Sequence, residues 1–438
     1  MSASALGFLS SRGGVPAATF NAALLQGLAS DGGLYVPSRW PRFAPEDFAG
    51  ATSLAQVAER LLAPFVAGDA LAPQLPALVR EAFNFPAPCV PLTDEAQLSV
   101  LELFHGPTAA FKDFGARFLA AAFARLRTAQ ARPLTVLVAT SGDTGGAVAA
   151  AFQGRAGVEV VVLFPKGLVS PTQERQLTCW GGNVRALAVR GTFDDCQRLV
   201  KEAFLDESLR ARAALSSANS INLGRLLPQS VYYAATSLEM WRRFREPVSF
   251  VVPSGNLGNA VACLWAKCAG LPIANVVLAH NANRAVPDFL TSGEWRPRAS
   301  IATLASAMDV GNPSNMERLR ALFPDLTQLR AAVSACSVSD AEIRARIRSG
   351  YEQYGQIWCP HTATAAEAWE RLPEATRAQR WVLVATAHPA KFPEIVEPLI
   401  GRKVPVPASL AALFARASQS QEIEASLAAL SAVLEERA

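Results

Sequence analysis

The sequence predicts an α/β protein whose parallel sheets are covered by helices on both faces. Two observations carry this. Apolar, β-branched runs of strand length show no polar alternation, and Ala-rich amphipathic segments separate them. In chain order, TVLVAT (135–140) reads as a buried strand and GGAVAAAFQ (145–153) as the helix behind it. VEVVVLFP (158–165) and VSFVVP (248–253) are further strands, and NAVACLWAKCAG (259–270) is a helix. ANVVLAH (274–280) and WVLVATAH (381–388) are strands again. Residues 36–98 carry many Pro and no strand–helix rhythm, and they read as a helical N-terminal portion. The tail 409–438 reads as amphipathic helix.

Composition narrows the function classes. A chain of 438 residues fits two or three domains with a large core. Half of it is apolar and 18% charged, which excludes global disorder. Lys plus Arg number 41 against 37 Asp plus Glu, a net +4 with no basic block, so no nucleic-acid partner is expected. No uninterrupted apolar stretch reaches the ~18 residues of a spanning helix, so no membrane partner is expected. The start, MSASALGFLSSRGG, has no basic residue ahead of its short apolar patch and does not read as a secretory signal. Seven scattered Cys without a CxxC pair fit a reducing cytoplasm better than a disulfide framework or structural zinc. His105, His361 and His388 lie far apart and lack HExxH spacing, so no metal site is expected.

Two turns have the make-up of anion sites. The first, VSFVVP-SGNLGN-AVACLW, places Ser254, Gly255, Asn256, Leu257, Gly258 and Asn259 between strand and helix. Glycines let backbone approach a ligand, and the first helical N–H groups lack intrahelical partners. The loop has no lysine and does not match GxxxxGK[ST]. A phosphate held there would belong to a phosphorylated cofactor rather than a nucleoside triphosphate. The competing reading is an ordinary connection capped by Ser254 or Asn256. The second turn, Ser141-Gly142-Asp143-Thr144-Gly145, repeats the logic for a carboxylate, but Asp143 would repel an anion unless a cation lies near. Its competing reading is helix capping by Asp143 or Thr144.

Lys112 stands in FHGPTAAFKDFGARF between Phe111 and the Asp113–Phe114 pair. Desolvation there would lower its pKa and leave a nucleophilic amine able to form a Schiff base. The alternative is a helix-start lysine whose stem reaches water.

Taken together, the motifs resemble the threonine synthase family of fold-type II pyridoxal-phosphate enzymes. They are SSRGG (10–14), DGGLYVP (31–37), FHGPTAAFKDFGARF (104–118), TSGDTGGA (140–147), ANSINLGRLLPQ (218–229), VPSGNLGNA (252–260), AMDVGNPSNMERL (307–319) and ATAHPAKF (385–392). The resemblance implies a tryptophan synthase β-like fold with two parallel-sheet domains and an N-terminal portion. The expected division is 1–98 packed on the large domain, 99–225 as a smaller mobile domain, and 226–438 as the large cofactor-binding domain with its helical tail.

The same resemblance implies the chemistry: O-phospho-L-homoserine and water become L-threonine and phosphate. Lys112 would carry pyridoxal 5'-phosphate as a Schiff base and later move protons. Gly255, Asn256, Leu257, Gly258 and Asn259 would cradle the cofactor phosphate, and Thr386 would bond the pyridine nitrogen. Asp143 would stand near the cofactor's ring hydroxyl. Ser141 and Thr144 would take the substrate carboxylate, and Asn222 and Arg225 the substrate phosphate. The smaller domain would close on substrate to exclude water early.

Ser11 and Arg12 are expected either at the active site or on a surface arm. His388 is weighed as a shaper of the cofactor pocket, and Lys166 and Lys391 as supports for substrate phosphate. Cys263 and Cys268 fit packing. Two other functions stay open: a related lyase releasing a 2-oxo acid, and a non-catalytic binding protein, against which the intact Lys112 argues. A monomer or homodimer is expected.

Overall fold

The structure is a computed structural model that describes residues 6–93, 97–127 and 133–436. Its larger sheet has six strands in the order Ser334–Ser337, Ile273–His280, Val248–Pro253, Trp381–Ala385, Leu98–Glu102 and Cys89–Pro91. All neighbours are parallel except the last pair. The smaller sheet has five parallel strands in the order Gln421–Glu424, Val184–Arg190, Val158–Pro165, Leu134–Ala139 and Ala214–Ser217.

The missing alternation in these strands follows from burial on both faces. Val136, Val138, Val160 and Val162 enter one core cluster, while Leu137, Ala139, Val161 and Leu163 enter another on the opposite face. In the larger sheet, Val382 and Val384 join the first cluster and Trp381 and Leu383 a third. Successive side chains point to opposite faces, so a strand packed on both sides must be apolar throughout.

The N-terminal portion begins with an antiparallel pair, Phe8–Ser10 with Tyr35–Pro37. The helix Leu54–Val66 starts at Ser53, whose hydroxyl accepts from Gln56 N–H while the Gln56 side chain reaches back. It buries Val57, Ala58, Leu61, Leu62 and Phe65, one helical face, in the cluster that also takes up helix Lys112–Leu126. That second helix is buried over most of its length, and Gly115 explains how. A Cβ there would lie 2.3 Å from the Arg225 carbonyl oxygen, so only glycine lets the helix approach the chain at 223–226.

Two segments depart from the sequence reading. The tail is not one helix: helices Ala408–Phe414 and Leu427–Glu435 flank the strand Gln421–Glu424. The stretch SQSQEIE is polar apart from Ile423, the pattern of an edge strand rather than an amphipathic helix. Its glutamates pair with Arg190 and Lys166, at 2.9 Å for Arg190–Glu424 and 2.7 Å for Lys166–Glu422. The tail therefore sits on the smaller sheet, not the larger. Leu98–Glu102 pairs with Trp381–Ala385 and belongs to the larger sheet, although the expected division at 98/99 put nearly all of it in the smaller domain.

Gly115→Ala is expected to destabilise the fold by about 1–3 kcal/mol, the range for overpacking a filled core. A lower urea midpoint at unchanged slope would show it.

Candidate active site

The turn that carries Lys112 is held by backbone. Residues 386–388 run beyond the strand Trp381–Ala385 and bridge antiparallel to 109–111. Phe111 N–H donates to the Thr386 carbonyl at 2.9 Å and His388 N–H to the Ala109 carbonyl at 3.0 Å. Lys112 then opens the helix Lys112–Leu126. Behind it, the buried Asp113 carboxylate accepts from Thr108 N–H (2.9 Å) and Thr108 Oγ1 (2.6 Å). Gly106 leaves room for this grip, since a Cβ there would stand 2.5 Å from Asp113 Oδ2.

The half-buried Lys112 lines an inner cavity with Ser141, Asp143, Thr144, Arg225, His361 and Thr386, bounded by residues 255–259. Burial pulls its amine down to about 8, helped by repulsion from Lys391 and Arg225 and opposed by Asp143. His361 is also buried, and burial pulls it to about 4. Its Nε2 accepts from Ala307 N–H at 3.1 Å, so the neutral ring carries its proton on Nδ1. Asp143 finds the cation that the sequence required. Fully buried Lys391 holds it at 2.7 Å. Burial would raise the Asp143 carboxyl, but Lys391 and Lys112 outweigh it and keep the group ionised far below the usual range. Lys391 is thus spent on Asp143 rather than free for a substrate phosphate.

Neither anion-site turn is used up by capping. Leu257, at φ +62°, is the cap residue of helix Gly258–Cys268 and makes no side-chain cap. Ser254 donates its hydroxyl to the Val252 carbonyl. Asn256 donates to Ser220 Oγ (2.9 Å) and accepts from Ser314 N–H (2.5 Å). Among the described residues, the amides of 255–259 find no protein acceptor. Asn259 Oδ1 accepts from Tyr232 (2.5 Å) and Tyr233 (2.9 Å), while its buried Nδ2 has no partner. Likewise the helix Asp143–Phe152 has Gly142 as an unassisted cap, and Thr140 Oγ1 takes the amides of Gly142 and Gly145. The amides of Ser141, Asp143 and Thr144 stay without protein acceptors among the described residues.

Arg225 and Asn222 part company. Arg225 is buried and lines the cavity. Its guanidinium donates to the Ala218 carbonyl, and its Nε has no partner. No carboxylate pairs with it among the described residues. Asn222 does not line the cavity. Its amide donates to the Leu24 (2.9 Å) and Ser217 (3.1 Å) carbonyls and accepts from Gly224 N–H (2.9 Å), so it builds the turn rather than binding phosphate directly.

The remaining expectations sort by position. Thr386 is buried and lines the cavity. His388 caps the turn after it and packs edge-on against Phe104. Ser11 and Arg12 line a larger cleft of about 1430 Å³ and bond Glu317 at 2.8 Å each. That cleft shares Ala139, Phe193, Gln197, Asn219, Asn256 and Val310 with the inner cavity, so it is the approach from solvent. Lys166 lies at the surface with Glu422. Cys263 is buried on the helix after the phosphate-type loop, where burial pushes its thiol far up, the state of a packing residue.

Sequence reasoning missed a clasp behind the glycine loop. Arg318, fully buried, donates to the Tyr35, Ser220 and Ile221 carbonyls and to Asn315 Oδ1. Asn315 Nδ2 in turn reaches the Asn256 carbonyl and Ser220 Oγ. These residues stand inside the motifs 218–229 and 307–319, but nothing in their types signalled a task.

These features fit pyridoxal phosphate: a row of unpaired amides with an orphaned buried Asn259 amide for the phosphate, and an enclosed low-pKa amine for the aldehyde. The comparisons agree. Residues 83–387 match the family model described as pyridoxal-phosphate dependent enzyme, so the chain is a pyridoxal-phosphate-dependent enzyme of fold type II. Residues 7–83 match the threonine synthase N terminus and 362–434 the threonine synthase C-terminal model. The chain is 42% identical over 401 residues to threonine synthase of Serratia marcescens, covering 90% of each. It is 40% identical over 395 residues to that of Escherichia coli K12, covering 90% of this chain and 91% of the other. The Escherichia coli threonine synthase crystal structure matches with a TM-score of 0.91 at 38% identity, over 98% of this chain and 100% of that one. A pyridoxal-phosphate-bound threonine synthase from Brucella melitensis matches at 0.88 and 36% identity, over 99% and 98%. The chain belongs to the threonine synthase family.

Only the neutral amine attacks an aldehyde. Uptake of pyridoxal phosphate by the stripped protein is therefore expected to accelerate as pH rises through about 8, rather than near the 10.5 of an ordinary lysine. Stopped-flow absorbance against pH checks this.

Proposed function

We propose that this chain converts O-phospho-L-homoserine and water into L-threonine and phosphate in the cytoplasm, as a monomer or homodimer. One observation carries the reading: a low-pKa lysine amine lies between unpaired backbone amides and a buried arginine that, among the described residues, forms no ion pair. The cavity has places for two phosphates and a carboxylate, the anions that this cofactor and this substrate bring.

Pyridoxal phosphate, when bound, supplies an electron sink that lets protons leave the carbons beside the substrate amine. The amides of Gly255, Asn256, Leu257, Gly258 and Asn259, with Asn259 Nδ2, hold its phosphate. Thr386 would offer its hydroxyl to the pyridine nitrogen, and Asp143 would serve the ring hydroxyl. Lys112 is the amine that would hold the cofactor through its aldehyde. The Lys112 Nζ, when free and neutral, would take the substrate α-proton and later return it. Ser141 and Thr144 bind the substrate carboxylate with hydroxyls and amides. Arg225 grips the γ-phosphate until it leaves, in a turn shaped by Asn222. The smaller-sheet lobe closes the cleft to exclude water before phosphate departs.

The test is product analysis. With O-phospho-L-homoserine the protein is expected to release threonine and phosphate in equal amounts, and 2-oxobutyrate as the sole organic product would sink the reading. Arg225→Met is expected to lower kcat/KM about 100-fold, the loss of a charge-assisted contact worth ~3 kcal/mol. Lys112→Ala abolishes turnover and the borohydride-reducible visible band.

A further inference from the structure

Lys391 joins the two lobes beside Lys112. It follows the strand Trp381–Ala385 of the larger sheet and is fully buried. Its ammonium holds Asp143, the first residue of a helix on the smaller-sheet side, at 2.7 Å and donates to the Thr108 carbonyl at 3.0 Å. Two glutamines of the helix Pro171–Thr178 grip both ends of this link. Gln173 Nε2 donates to Asp143 Oδ1 at 3.3 Å and Gln176 Nε2 to the Thr108 carbonyl at 3.2 Å.

Thr108 is the hub of the Lys112 turn. Its amide and hydroxyl hold Asp113, and its carbonyl takes both Lys391 and Gln176. The next residue, Ala109, sits at φ +53°, a left-handed conformation that a residue with a Cβ keeps only where its surroundings over-determine it. His388 N–H on the Ala109 carbonyl adds to that constraint. Lys112 follows three residues on.

We propose that Lys391 is a positioning residue for the Lys112 amine: by pinning Asp143 and the Thr108 carbonyl across the lobe interface, it fixes both the aim of Lys112 and the anion facing it. The inference rests on Lys112 being the cofactor-binding amine. The charged and titratable groups around that amine are Asp143, Lys391, Arg225 and His361. Of these, Asp143 favours the protonated amine while Lys391 disfavours it, so the two partners of one ion pair act with opposite signs.

The experiment uses full-length protein stripped of cofactor. Uptake of pyridoxal phosphate is followed against pH, trapped with borohydride and located by peptide mass. Lys391→Met is expected to raise the midpoint and Asp143→Asn to lower it, each by about half a pH unit or more. A role confined to packing would move neither, or move both alike. Wild-type label on a residue other than Lys112 defeats the reading of Lys112 itself. Label on Lys112, with a Lys391→Met midpoint unchanged or lowered, overturns only the role of Lys391. Should Lys391→Met fail to fold, the double variant K391M/D143N buries no lone charge and carries the test. Its midpoint is expected above that of Asp143→Asn, and equality of the two overturns the proposal.

Discussion

Lys391 and Asp143 meet out of water between the two sheets, and the inner cavity is organised around their ion pair. A lone charge at such depth costs several kcal/mol, so each partner makes the other tenable. The carboxylate also opens a helix, where the dipole favours negative charge. With Asp143 kept ionised, the amides beside it remain usable for an anion only because Lys391 cancels the repulsion. The same pair brackets Lys112 with one attractive and one repulsive charge, while burial pulls the amine down to about 8.

Around that centre the cavity offers donors to an anion in three places, from two physical sources. At residues 255–259 they are unpaired backbone N–H groups at a helix start, at 141–144 they belong to a second such helix start, and at Arg225 they carry a formal charge. In neither helix does the cap residue itself supply a side-chain acceptor, although Thr140 Oγ1 takes the Gly145 amide. Behind the glycine loop, Arg318 and Asn315 tie the loop to the 220–221 chain that leads to Arg225, so the loop and the arginine share one scaffold.

All these loops leave the carboxyl ends of parallel strands: 140–144 after Leu134–Ala139, 254–259 after Val248–Pro253, and 386–391 after Trp381–Ala385. The Lys112 turn follows Leu98–Glu102 in the same way. In open α/β sheets the crevice at those ends is where ligands bind. Here two sheets present such ends to each other, and the large cleft between them leads inward.

Much of this was legible in the amino-acid sequence. Five apolar strands and the helices after two of them could be placed to within about three residues, because burial on both faces leaves no other composition for a strand; Leu98–Glu102 and Val184–Arg190 went unread. The glycine turns, the lysine among aromatics and the order of the motifs pointed to the class of chemistry, because those residue types have few other uses in that pattern. The edge strand of the tail was not legible, since a short polar strand is specified by its partner strand rather than by itself. Nor was the division of labour among the polar residues. Asn222 and Arg225 stand three apart, yet one is consumed by backbone and the other faces the cavity. Lys391 and Lys166 look alike in the chain, yet one is fully buried on Asp143 and the other sits in a surface pair. Local sequence determined which groups were available and which elements carried them. Only the tertiary structure decided which of those groups were left without partners, because pairing depends on segments hundreds of residues apart meeting in a place from which water is excluded.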